Sequence, residues 1–220
     1  MAVIHDEEFT NFREVKAGPH MASGILYRSS SPLKGGEAKK KAIGELAQKA
    51  GIKCIINLDN DYSVVEALAK EVPWYNKLLA KKKVIALNMN LTIPSADFNQ
   101  KLKKGLEFML ANKGPYLIHC FAGVDRTGFV IAVLAGLMEG SFKEILDDYL
   151  LSFEDDSTPS FNGYYKRKKK EFLKQLIGIR LGSDRDEDDI MGGVFFYLMY
   201  DVGLSSEEPS KLQNSLLKLP

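Results

Sequence analysis

Apolar and polar positions along the chain alternate between two rhythms. Short unbroken apolar runs read as buried strands: GILYRS (24–29), IKCIINL (52–58), KVIALNM (83–89) and YLIHC (116–120). Between them lie stretches with apolar residues at helical spacing. EAKKKAIGELAQKAG (37–51) ends in a helix-stopping glycine. DYSVVEALAKEV (61–72) is cut by Pro73, and Ser95 is a good cap for the helix 96–112. Strands alternating with helices predict a three-layer αβα domain with a mostly parallel sheet of four or five strands and helices on both faces.

After Thr127 the pattern turns helical and stays so. TGFVIAVLAGLMEG (127–140) is apolar all round, as a central buried helix must be. Ser141 can cap FKEILDDYLLSF, and further helices are expected over 161–181, 190–202 and 209–217. The acidic stretch GSDRDEDD (182–189) reads as a linker. The run VFFYLMY (194–200) that follows is too apolar for a free tail. It could form a strand, but its context favours a helix. We therefore expect one domain over 1–220, with 183–220 as a docked helical extension.

Composition narrows the picture. The 220 residues are 45% hydrophobic, enough for one domain with a sizeable core. Thirty basic residues against 29 acidic ones give a net charge of +1, which is no basis for nucleic-acid binding. Two cysteines are no disulfide framework, and no run approaches the length of a membrane span. The N-terminus lacks a signal-peptide pattern, so a cytoplasmic protein, or one secreted by a non-classical route, is expected. His5 and His20 have no partners at ligand spacing and metal-ligating side chains are few, so neither a metal nor another cofactor is expected. Cys54 sits in a core strand and reads as a small apolar residue, with a redox partnership to Cys120 as the lesser reading.

Chemistry concentrates in IHCFAGVDRTGF (118–129). A strand ends at Cys120 and a helix begins near Thr127. The intervening loop, Phe121, Ala122, Gly123, Val124, Asp125 and Arg126, can turn its N–H groups inward onto an anion. Gly123 permits the backbone angles of so tight a ring, and Arg126 offers a planar fork for two phosphate oxygens. The same donors favour the thiolate of Cys120, a good nucleophile. Such a site would attack a phosphomonoester, form a cysteinyl-phosphate and hydrolyse it without a metal. The loop is not a G-x-x-x-x-G-K-[ST] nucleotide loop, because no lysine precedes a Ser/Thr at its end.

The stretch HCFAGVDRTG resembles the H-C-x-x-G-x-x-R-[ST]-G signature of cysteine-dependent protein tyrosine phosphatases. His119, Cys120, Gly123, Arg126, Thr127 and Gly128 match every fixed position. NFREV (11–15), LYRSS (26–30), DYLLS (148–152) and FFYLMYDVGLSSEE (195–208) resemble elements of a bacterial tyrosine or dual-specificity branch. The resemblance implies Cys120 as nucleophile, Arg126 as phosphate clamp, Thr127 as an aid to departure of the sulfur and His119 as support. It also implies a phosphotyrosine protein, or a phosphoinositide, as substrate. The general acid is open. Asp125, where that branch also has an aspartate, is preferred, and Asp97 is the alternative. Val124 stands where the branch often has lysine, which lowers the expectation of a lipid substrate. Arg28 is expected to face the loop from a neighbouring strand end. The basic run YYKRKKK (164–170) reads as a solvated helix face that could also meet an anionic partner. Inositide hydrolysis and phospho-binding without turnover are the competing functions.

Overall fold

A computed structural model describes residues 10–153, 159–178 and 190–217. Five strands form one sheet: β1 (Arg13–Glu14), β2 (Leu26–Ser29), β3 (Cys54–Asn57), β4 (Val84–Ala86) and β5 (Tyr116–His119). Their order is β1-β2-β5-β3-β4, with β1 antiparallel at the edge and the other neighbours parallel. The helices among the described residues are α1 (Glu37–Lys49), α2 (Tyr62–Ala69), α3 (Pro73–Ala80), α4 (Ala96–Ala111), α5 (Asp125–Leu137), α6 (Phe142–Leu150), α7 (Pro159–Gly178), α8 (Ile190–Phe196) and α9 (Glu208–Leu216). This is the three-layer α/β architecture the alternating pattern predicts.

Side-chain alternation along the strands builds the two faces. Ile55, Val84 and Leu117 point to one side, where they meet Val65, Ala69, Val72 and Tyr75 of the α2–α3 region. Leu26, Ile56, Tyr116 and Ile118 point to the other, against α4, α5 and α6. From Arg126 to Leu137 every residue of α5 is buried, as its all-round apolarity predicts. Val194, Leu198, Leu212 and Leu216, from α8, the turn after it and α9, lie in the same core cluster as α5.

Three boundaries differ from the sequence expectation. The helix expected over 61–72 ends at Ala69, and a separate helix, α3, starts at Pro73. Proline does not only stop a helix: at the first helical position its missing N–H is one the helix does not need. The pair β1 is too short to leave any periodicity and forms only because Arg13 and Glu14 align with Arg28 and Tyr27. Helix α5 begins at Asp125, two residues before Thr127, so Asp125 and Arg126 belong to its first turn. The stretch 194–200 is helical, continuing from α8 into a π-type turn over Tyr197–Asp201. The acidic linker 182–189 lies outside the described residues. None of the described helices is long and apolar enough to cross a membrane.

Candidate active site

The strand register brings Ser29, His119 and Asn57 side by side at the carboxyl ends of β2, β5 and β3. In parallel sheets this edge is where ligands bind. Cys120 follows β5 directly and is 2% exposed. Its sulfur accepts the N–H of Gly123 at 3.2 Å, so the chain curls back around the thiol within three residues. Gly123 has φ +72°, and a Cβ there would stand 2.3 Å from the Ser29 carbonyl oxygen. Only glycine fits both the angle and the space. Ser31 N–H donates to the Phe121 carbonyl at 2.9 Å and ties the outer side of the loop to the segment after β2.

The loop runs straight into α5, which has no side-chain cap. Its first-turn N–H groups are therefore left for an anion. Gly128, one turn in, lets α6 approach: a Cβ there would meet Tyr149 at 2.7 Å. Arg126 is buried and held from outside. Its Nη1 donates to the carbonyls of Met89 at 3.0 Å and Leu58 at 3.4 Å, and its Nη2 to Asp59 at 2.7 Å. Its Nε and the Thr127 hydroxyl are buried polar atoms with no protein partner.

A polar network supports the loop from behind. Arg28, 0% exposed, donates from Nη2 to the Gly123 carbonyl at 2.6 Å and pairs through Nη1 with Asp148. Asn11 Nδ2 donates to the same carbonyl at 3.0 Å, and Arg13 bonds Asp148 Oδ1 at 3.2 Å and Ser152 Oγ at 3.1 Å. Thus NFREV, LYRSS and DYLLS, far apart in sequence, meet behind one turn of chain. Arg28 touches the loop at its back, through the Gly123 carbonyl, and also forms an ion pair with Asp148.

On the other face of the sheet, Tyr75 of α3 lies 3.1 Å from His119 Nε2 and accepts from Asn57 Nδ2 at 3.2 Å. The tyrosine therefore donates to Nε2, which puts the histidine proton on Nδ1, facing the Cys120 carbonyl at 3.4 Å. Burial pushes the His119 imidazole down to about 4, so the ring is neutral near pH 7. This suits a supporting residue and not a proton donor.

The two candidate acids differ. Asp125, at the loop's exit, pairs with Lys168 of α7 at 2.9 Å. Asp97 is occupied by Asn90 at 2.9 Å and Lys101 at 2.9 Å, on an exposed surface. Val124 is buried, and Phe121 is 52% exposed, with the Lys34 ammonium 5.4 Å from its ring centre. Among the described residues no group of three or more His, Cys, Asp or Glu could hold a metal ion. Both cysteines are free thiols. Cys54 pairs in register with Tyr116, four residues before Cys120. At ~3.3 Å per residue their backbones stand roughly 13 Å apart, too far for a disulfide.

Sequence reasoning did not single out Asp59, Lys34, Asn57 or Tyr75, and it met Asp148 only within DYLLS and Lys168 only within YYKRKKK. Of the first four, Asp59 left a signal, as an acid closely following a buried strand on the edge that carries the loop.

Comparison with known proteins bears on the family. The sequence model of the tyrosine phosphatase family matches residues 4–218. The triple specificity protein phosphatase PtpB of Mycobacterium tuberculosis is 32% identical over 91 residues, 41% of this chain and 31% of that protein. The likeness thus spans under a third of that relative's length. Two solved structures are similar: the core catalytic domain of the PP-IP phosphatase SIW14 from S. cerevisiae in complex with citrate, and the Siw14 catalytic core. Both are 24% identical and cover 76% of this chain, with 91% and 90% of their own chains covered and TM-scores of 0.43 and 0.45. A family match running from residue 4 to residue 218, over a sheet edge that curls its chain around a buried thiol, makes this chain a member of the tyrosine phosphatase family.

Proposed function

We propose that the chain hydrolyses phosphomonoesters through a cysteinyl-phosphate, with phosphotyrosine proteins as the main substrates and phosphoserine or phosphothreonine as further ones. One observation carries the reading. A buried thiol accepts a loop N–H at the mouth of an uncapped helix, and that helix's second and third residues hold buried donors without protein partners. In this reading the N–H groups of residues 121–126 and the Arg126 fork hold the three equatorial oxygens of the phosphoryl group. The Cys120 thiolate attacks phosphorus, the ester P–O bond breaks, and Asp125 gives the leaving oxygen its proton. Water then attacks phosphorus, Asp125 takes a proton from it, and the P–S bond breaks. The Thr127 hydroxyl stabilises the departing thiolate, and inorganic phosphate leaves. We treat the chain as one phosphatase domain, a view supported by the packing of α8 and α9 into the core of α5.

The preference for proteins over inositides rests on charge. Lys34 and Lys168, the lysines bonded at the loop, are each paired with a carboxylate, Asp59 and Asp125. Val124 adds no charge, and the exposed Phe121 offers a flat apolar contact for an aryl ring. The relative named a triple specificity protein phosphatase supports the same choice.

The test is turnover of a generic aryl phosphate in EDTA, followed by a panel of phosphopeptides and phosphoinositides. Phosphopeptides are expected to be the better substrates, and Cys120→Ser is expected to abolish turnover while retaining vanadate binding. Wild-type protein that binds vanadate but turns nothing over would be a phospho-binding module instead. Faster turnover of inositides than of peptides would overturn the substrate choice.

A further inference from the structure

Asp59 stands two residues beyond β3, and its two oxygens serve different cations. Oδ1 accepts from Arg126 Nη2 at 2.7 Å, and Oδ2 accepts from Lys34 Nζ at 2.7 Å. The carboxylate and the guanidinium are both about nine-tenths buried, with side-chain exposures of 9% and 10%. The turn that presents Asp59 is itself fixed. The N–H groups of Asp59 and Asn60 donate to Asn57 Oδ1 at 2.9 and 3.0 Å. Asn57 in turn is bonded to Tyr75, which also holds His119. One buried amide thus joins the strand that ends at the thiol to the carboxylate that grips the arginine.

The pattern of contacts on Arg126 decides where it can still bind. Nη1 is spent on two carbonyls, and Nη2 gives one proton to Asp59. Nε has no protein partner, Nη2 has a proton beyond the one given to Asp59, and these two nitrogens share one edge of the guanidinium plane. They form a side-on fork of the kind that takes two oxygens of one phosphate. Without Asp59 the guanidinium would keep only carbonyl partners on Nη1 and could turn about its long axis. We propose that Asp59 is a positioning residue for the Arg126 phosphate clamp, and that Lys34 locks it in place. The proposal rests on the reading of Arg126 as the clamp. The cluster Lys34–Asp59–Arg126 nets one positive charge, so the phosphate still meets a cation after the arginine has been fixed.

The arrangement has a pH signature. The charged or titratable groups facing Asp59 are Lys34 from the segment after β2, Arg126 from α5 and His119 from β5. Burial by itself would raise the Asp59 carboxyl, but Lys34 and Arg126 outweigh it and hold it below the usual carboxylate range. His119 is neutral above about 4. Alignment of the clamp is therefore complete above that lowered value and is lost as pH falls through it. Removing Lys34 moves the loss to higher pH.

The experiment uses the full chain with a nitrophenyl phosphate substrate, and with orthovanadate and inorganic phosphate as binding probes. Asp59→Asn is expected to lower kcat/KM and to weaken phosphate binding by about tenfold or more. Lys34→Met is expected to shift the acid limb of kcat/KM upward in pH, and Lys34→Arg to return it. Asp59→Asn with parental kcat/KM and phosphate affinity overturns the proposal, as does an acid limb that ignores Lys34→Met. Should Asp59→Asn fail to fold, the Lys34 pH series decides. Should the wild type turn over no ester, the function reading fails, and the phosphate affinity of Asp59→Asn still decides the positioning role.

Discussion

The Lys168 ammonium of α7 lies 2.9 Å from Oδ1 of Asp125, the first residue of α5. A side chain 43 residues further along the chain thus reaches the acid at the loop's exit, which the proposed mechanism uses for proton exchange. Asp125→Asn is expected to slow phenyl phosphate by about 100-fold and nitrophenyl phosphate by less than tenfold, because only the poorer leaving group needs the proton. Lys168→Met is expected to change the ratio of the two rates several-fold in the wild type and not at all beside Asp125→Asn. Rate measurements on the four proteins check it. Equal effects of Lys168→Met in both backgrounds would separate the lysine from Asp125.

Gly123→Ala places a methyl group against the Ser29 carbonyl and an L-residue at φ +72°. The backbone angle alone costs roughly 1–2 kcal/mol, and the overlap adds to it. Urea unfolding is expected to register that loss, and kcat/KM to fall further than stability does, because the Gly123 N–H also holds the thiol.

Asp148→Asn leaves Arg28, buried without exposure, short of its counter-charge. Breaking a buried pair from one side costs about 3–5 kcal/mol. The expected result is a lower urea midpoint with an unchanged slope, and weaker vanadate binding from a loop that has lost its rear support. A variant as stable as the parent would remove Arg28 from the account of the loop.

His119 predicts how stability varies with acid. Its folded value of about 4 lies below the ordinary 6.5. Between those values the unfolded chain binds the proton and the folded chain does not. This contribution is therefore fully present above about pH 6.5 and declines as pH falls toward 4, by about 3 kcal/mol in all. Urea titrations from pH 7 to pH 4 check the slope, and His119→Gln should flatten it. A resonance assigned to the His119 ring that titrates near pH 6.5 in the folded protein would refute the assignment.

The loop and its six matching residues were legible in the sequence because they are contiguous. A strand end, a tight ring and a helix start must follow one another for a thiol to sit among N–H groups, so local order carries the whole device. The sheet class was legible for a similar reason: runs such as IKCIINL and YLIHC alternate with helical periods, and burial of both sheet faces leaves that rhythm in the residues. Pro73 misled because a helix stop and a helix start share the same residue, and only the packing of Tyr75 under His119 shows which it is.

The chain by itself therefore determined the thiol, its loop and the layered fold around them. What only the tertiary structure decided is which distant side chains complete the site: Asp59 and Lys34 on Arg126, Lys168 on Asp125, Asp148 on Arg28 and Tyr75 on His119. Each is one polar residue on an otherwise ordinary element, with no periodicity to mark it. Its significance arises only when burial takes water away, and a lone charge or donor must then find its partner across the fold.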